Sequence, residues 1–123
     1  MLDRQPFLNK AEQIGGAVEA SCTARRQTGD SMVSQNGLLC ATERGLVFVV
    51  EHILEPGKAL LFGRAHIGQL AVESDVMGTR LQFQGPDGLE RFFEMNGDEL
   101  SAVLRAAGLS VDTPASAEPA PAR

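Results

Sequence analysis

The stretch Gly37-Leu-Leu-Cys-Ala-Thr-Glu-Arg-Gly-Leu-Val-Phe-Val-Val50, GLLCATERGLVFVV, decides the fold. Two apolar runs flank Glu43-Arg44-Gly45, whose charged side chains cannot stay buried alone. The pattern predicts a strand over Leu38–Thr42, a tight turn at Glu43–Gly45 and a second strand over Leu46–His52. Gly45 can supply the positive φ that such a turn often needs. The run LVFVV does not alternate, so it implies a strand covered on both faces or lying deep in a sheet.

The same two-residue period continues on either side. Val18, Ala20, Cys22 and Ala24 share one face of a half-buried strand, with Glu19, Ser21, Thr23 and Arg25 on the other. Residues 27–36, QTGDSMVSQN, form a turn-rich loop. Pro56-Gly57 marks a turn, followed by strands over Ala59–Phe62 and Ile67–Glu73. Ser74–Gly78 turns the chain again. Thr79–Gln84 alternates, with Leu81 and Phe83 inward. Gly85-Pro86-Asp87-Gly88 signals a turn before a last strand, Leu89–Met95.

The period then becomes helical. Leu100, Val103, Leu104 and Ala107 fall on one stripe, Asn96 and Glu99 make a capping box, and Gly108 stops the helix. Residues 1–16 form a polar N-terminal segment. Asn9 and Glu12 could cap one short helical turn there, ended by Gly15-Gly16. The tail, residues 112–123, is rich in Pro, Ala and Ser and is expected to be disordered. The fold class expected is mainly β: a bent barrel of about seven antiparallel strands capped by one C-terminal helix.

Composition narrows the function classes. The chain has 123 residues, which suits one domain, and carries a net charge of −5. Its eleven Lys and Arg are scattered, with only Arg25-Arg26 adjacent, so it lacks the basic stripe a nucleic-acid binder needs. Trp and Tyr are absent, which removes the residues most used for stacking on bases and sugars. Nucleic acid is not expected as a partner, and membrane lipid is unfavoured. The first residues lack the apolar run of a signal segment, and the longest apolar run, Leu46–Val50, is far too short to span a bilayer. Cytoplasmic localisation with reduced thiols is the expectation.

Three pieces of the chain resemble the pleckstrin-homology-like (PH-like) domains of bacteria, close to the GRAM-like group. Leu39–Phe48 resembles the apolar strand, Thr/Arg turn and apolar strand of that group. Ala65–Leu70 resembles a later strand, and Arg80–Met95 followed by Asp98–Ala107 resembles the closing hairpin and capping helix. The resemblance covers residues 17–108 and extends the expected PH-like domain over 17–111. It implies a strongly bent seven-stranded sheet and a role in binding lipid headgroups, peptides or further copies. The chain departs from phosphoinositide-binding members. Arg25-Arg26 could supply the cations at the end of the first strand, but Gly37–Ala41 supplies none at the start of the second.

Candidate site residues are few. Arg25 and Arg26 could together hold a phosphate or carboxylate; the alternative is an ordinary solvated loop. Arg44 could contact an anion or a partner, or cover apolar surface while pairing with carboxylates. Thr42 is expected to bond turn backbone. Adjacent rings in a strand point to opposite faces. If Leu89, Phe93 and Met95 face the core, Phe92 faces outward and suggests a partner surface; a bulge would bring it inward. Cys22 and Cys40 lie on neighbouring strands and could face one another, or serve as small core residues. With His52 and His66 they lack any metal-ligand spacing, so no metal and no cofactor is expected. No nucleophile elbow or phosphate-binding loop is present. The reading that follows is a non-enzymatic module that binds a protein partner or self-associates. The alternatives are anionic-lipid or phosphoryl-ligand binding through the arginines, or a flavin-binding small-barrel enzyme.

Overall fold

A computed structural model describes residues 3–28, 33–76 and 78–109; the expected disordered tail lies outside them. The chain runs α1 (Gln5–Gly15), β1 (Val18–Thr28), β2 (Gln35–Thr42), β3 (Gly45–His52), β4 (Glu55–Gly63), a 3-10 turn at Arg64–His66, β5 (Gly68–Asp75), β6 (Gly78–Gly85), β7 (Gly88–Met95) and α2 (Gly97–Ala106). The seven strands are antiparallel and form one sheet in the order β4-β3-β2-β1-β7-β6-β5. The sheet is not closed: no ladder among the described residues joins β4 to β5, so both remain edges.

The β2–β3 hairpin sits inside this sheet and is covered on both faces, as its unbroken apolar run requires. Leu39, Ala41, Leu46 and Phe48 point into the inner core, with Phe62, Leu81, Phe83 and Phe92. Leu38, Cys40, Val47 and Val49 point the other way, against Phe7 and Ala11 of α1. The Thr42 hydroxyl donates to the Gly45 carbonyl across the turn, 3.0 Å, as expected. Gly45 has φ +141°, which a larger residue would adopt only with strain.

α1 corrects the expectation of one short turn. It has eleven residues. Pro6 in its first turn costs no internal hydrogen bond. Phe7 and Ala11 are fully buried on β2 and β3, with Leu8 and Ile14 packed beside them. Gly15 lets the helix end press on the sheet, because a Cβ there would meet the Thr42 side chain. The N-terminal segment is therefore the outer cover of the hairpin and belongs to the domain.

α2 covers the inner face. Leu100, Val103, Leu104 and Ala107 are all buried, as the stripe predicts. Asn96 accepts a bond from the Glu99 amide, 3.0 Å. Gly108, at φ +72°, ends the helix. Its amide bonds the Arg105 carbonyl and the Leu109 amide bonds the Leu104 carbonyl, a Schellman closure.

The structure differs from the sequence reading in several places. The loop predicted over 27–36 is shorter, because β1 continues to Thr28 and β2 starts at Gln35. The turn predicted at Pro56-Gly57 lies instead at Ile53-Leu54, where both residues have positive φ. Pro56 sits within β4, which an edge strand tolerates because its missing N–H leaves no ladder bond broken on the open side. Val18 and Ala20, predicted on one face, are split by a bulge in β1; Val18 packs under α1 and Ala20 on the inner core.

Truncating Phe7 tests the outer cover. Phe7→Ala is expected to lower unfolding free energy by about 3 kcal/mol or more, the usual cost of emptying a buried ring site. Urea denaturation reads it; a loss under 1 kcal/mol would mean that α1 does not cover the hairpin.

Candidate functional site

The two adjacent arginines part company at the strand. Arg26 turns inward and Arg25 outward, because successive side chains alternate. Arg26 forms a two-pronged pair with Glu90: Nε to Oε1 at 2.8 Å and Nη2 to Oε2 at 3.0 Å. Its Nη1 also donates to Gln35 Oε1, 3.0 Å. The Glu90 side chain is 1% exposed and that of Arg26 14%. The guanidinium carbon lies 5.9 Å from the Phe62 ring centre, at the margin of a cluster formed by Phe48, Phe62, Phe83 and Phe92. Such a fork-to-fork pair has the geometry needed to offset two buried charges. Glu90 is thus an inward residue held by Arg26.

Arg25 lies on the outer face. It pairs with Glu94 at 3.0 Å, donates to Asn36 Oδ1 at 3.1 Å, and its guanidinium carbon lies 6.0 Å from the Phe93 ring centre. The structure does not bring Arg25 and Arg26 together to hold one anion. Arg44 is exposed and lies apart from both, with Nη1 donating to the Ile14 carbonyl, 3.4 Å. It buttresses the end of α1 rather than pairing with a carboxylate.

Phe92 is fully buried, so it does not form an exposed partner surface. The physical reason is the bulge. Glu94 has φ +61°, and the β6–β7 register shifts between Thr79 and Leu81. That extra residue lets Glu90, Phe92 and Met95 all face inward. Leu89 and Phe93, expected in the core, are half-buried instead. Phe93 thus takes the outward position that Phe92 leaves.

The outer face of β5, β6 and β7 carries the candidate site. A hollow of about 130 Å³ lies there, where the outward side chains of Ala71 and Phe93 are flanked by Glu73, Arg80, Gln82 and Arg91. Arg80 meets Glu73 at 3.1 Å and Asp75 at 3.0 Å. Elsewhere Ile53 and Leu54 stand 81% and 73% exposed at the β3–β4 turn.

Two further arginines act as ties that no sequence signal announces. Arg64 donates to the carbonyls of Ala107, Glu43 and Thr42, linking the end of α2 to the β2–β3 turn. Arg4 pairs with Glu99 at 3.1 Å and reaches Ser21, joining α1 to α2 and β1.

Cys22 and Cys40 are free and buried on opposite faces, since Cys22 opposes Leu39 and Cys40 opposes Ser21. Burial pushes the Cys22 thiol up to about 11 from 9.0, with Glu99 adding to the rise, and the Cys40 thiol up to about 12 from 9.0. His52 and His66 are exposed, and no three His, Cys, Asp or Glu side chains cluster as a metal site among the described residues. No described helix is long and apolar enough to cross a membrane. No family model matches the chain, and no curated protein matches it in sequence.

Two outcomes follow. Arg26→Ala strands the Glu90 carboxylate and is expected to cost about 3 kcal/mol or more. Arg26→Met with Glu90→Leu should recover most of that in urea denaturation, and equal loss in both variants would contradict the pair's role. The cysteines set an alkaline limit. Above pH 9.0 the unfolded chain releases both thiol protons while the native chain retains them up to about 11 and about 12. The unfolded state then binds fewer protons, so stability falls as pH rises from 9.0 through those values. Cys22→Ala/Cys40→Ala should flatten this part of the stability curve.

Proposed function

We propose that this chain is a non-enzymatic module, PH-like in architecture and cytoplasmic, that binds protein, either a different partner or a second copy. One observation carries the reading. The chain leaves apolar groups uncovered where its own fold has no use for them: the Phe93-walled hollow beside the open β5 edge and the aliphatic β3–β4 turn. Uncovered apolar groups beside an unpaired strand edge suit a protein surface. The antiparallel order and closing helix support the PH-like assignment.

The anionic-lipid reading draws less support. It needs Arg25 and Arg26 on one ligand, whereas Arg26 holds Glu90 and Arg25 holds Glu94. A flavin enzyme needs basic and hydroxyl groups converging on a phosphate, and the inner face is instead filled by four packed phenylalanines.

The test is affinity capture from native extract, with bound proteins and lipids both identified, alongside vesicles containing phosphoinositide at low salt. Stoichiometric protein, or the bait in multiples, with no vesicle binding is the expected result. Salt-sensitive vesicle binding abolished by Arg25→Glu, with no protein captured, would overturn it.

A further inference from the structure

The two faces of the β2–β3 hairpin are covered in unequal ways. The inner core draws residues from all seven strands and from α2. α2 is fastened at both ends, by its Asn96 cap and by Arg64 on the Ala107 carbonyl. The outer cluster has α1 alone as its cover, with Phe7 and Ala11 seated on Leu38, Cys40, Val47 and Val49.

α1 is weakly fastened. It has no side-chain N-cap, no acidic residue in its first turn and no basic residue in its last, so nothing offsets its dipole. Among the described residues, its polar ties to the rest of the chain gather at its two ends. At the C-terminal end the Arg44 amide donates to the Gly15 carbonyl, 3.1 Å, and Arg44 Nη1 to the Ile14 carbonyl, 3.4 Å. At the other end Arg4 meets Glu99, with side chains 33% and 39% exposed; ion pairs that open to water hold little. Between these ends only apolar contact binds the helix to the sheet. A helix of eleven residues does not persist by itself in water. Leaving the sheet and unwinding are therefore one event. The chain beyond it begins at Gly15-Gly16, and Gly16, at φ +90°, has the backbone freedom of a pivot. No ladder of β2 or β3 runs through α1, so the sheet and the inner core do not need it to stay paired.

We propose that α1 is a hinged cover, which leaves the folded sheet as one unit by pivoting at Gly15-Gly16 and uncovers Leu38, Cys40, Val47 and Val49 while the inner core stays packed. The device holds an apolar surface beneath α1 that is presented only on release. It does not depend on the protein-binding reading above.

The two cysteines read the two covers separately. Cys40 is buried under α1. Cys22 is buried on the inner face, its Sγ 4.0 Å from the Asn96 carbonyl at the start of α2. The full chain as Cys22→Ala and as Cys40→Ala leaves one thiol in each variant, and an excess of an aromatic disulfide reagent at low urea labels it. Cys40 should react at least about 100-fold faster than global unfolding of its variant allows, with a shallow urea dependence, because little surface opens. Cys22 should react only as fast as global unfolding allows, with the full urea slope. Leu100→Ala, in the α2 stripe, should then speed Cys22 by at least about 30-fold and leave Cys40 unchanged. Glu12→Gly, at an exposed position of α1, should speed Cys40 by about 3-fold. Should Leu100→Ala fail to fold, Val103→Ala, a smaller deletion in the same stripe, replaces it. Two thiols that both follow global unfolding, or a Leu100→Ala change that speeds both alike, overturn the hinged cover. So does a Cys22 thiol that reacts ahead of Cys40. The protein-binding reading stands or falls separately, on the capture experiment.

Discussion

Everything in this structure answers to one constraint: the β2–β3 hairpin is apolar on both faces. A sheet with one solvated face could not hold Leu38, Cys40, Val47 and Val49 beside Leu39, Ala41, Leu46 and Phe48. Each face needs its own cover. The inner face is covered by the bending of the sheet itself and by α2, and the outer by α1. The ties between these covers are arginines, chosen by geometry for their several donors. Arg64 gathers carbonyls from α2 and the β2–β3 turn, and Arg4 spans α1, β1 and α2. The last turn of α2 is a favourable place for such a cation, as its unpaired carbonyls carry partial negative charge.

The buried Arg26–Glu90 pair has a functional consequence as well as a structural one. It commits one of two adjacent arginines to the interior, so the outer face of β1 keeps only Arg25. What remains outside on β5, β6 and β7 is a mixed surface, where Ala71 and Phe93 lie among Gln82, Arg91 and the salt-bridged Arg80.

Much of the fold was legible in the sequence because burial writes a period into it. The unbroken LVFVV run, the Leu81/Phe83 alternation and the Leu100–Ala107 stripe each reach the structure as read. What the sequence hid had local causes. α1 buries a narrow stripe, Phe7, Leu8, Ala11 and Ile14, diluted by polar neighbours. The Pro56-Gly57 pair looks like a turn, but ladder pairing with Glu51 and Val50 places the reversal earlier, at residues no turn rule would choose. At Phe92-Phe93 the strand period fails because Glu94 adds a bulge, which exchanges the roles of the two rings. Of the candidate site residues, Arg25 kept its outward place, while Arg26 proved internal. The hollow was invisible in sequence, since it joins three strands from the second half of the chain.

Amide hydrogen exchange tests the account most directly, because it reads the doubly covered hairpin strand by strand. The account predicts that Leu38–Cys40 and Val47–Val49 exchange slowest at every concentration. Fast exchange in β2 and β3 would contradict it.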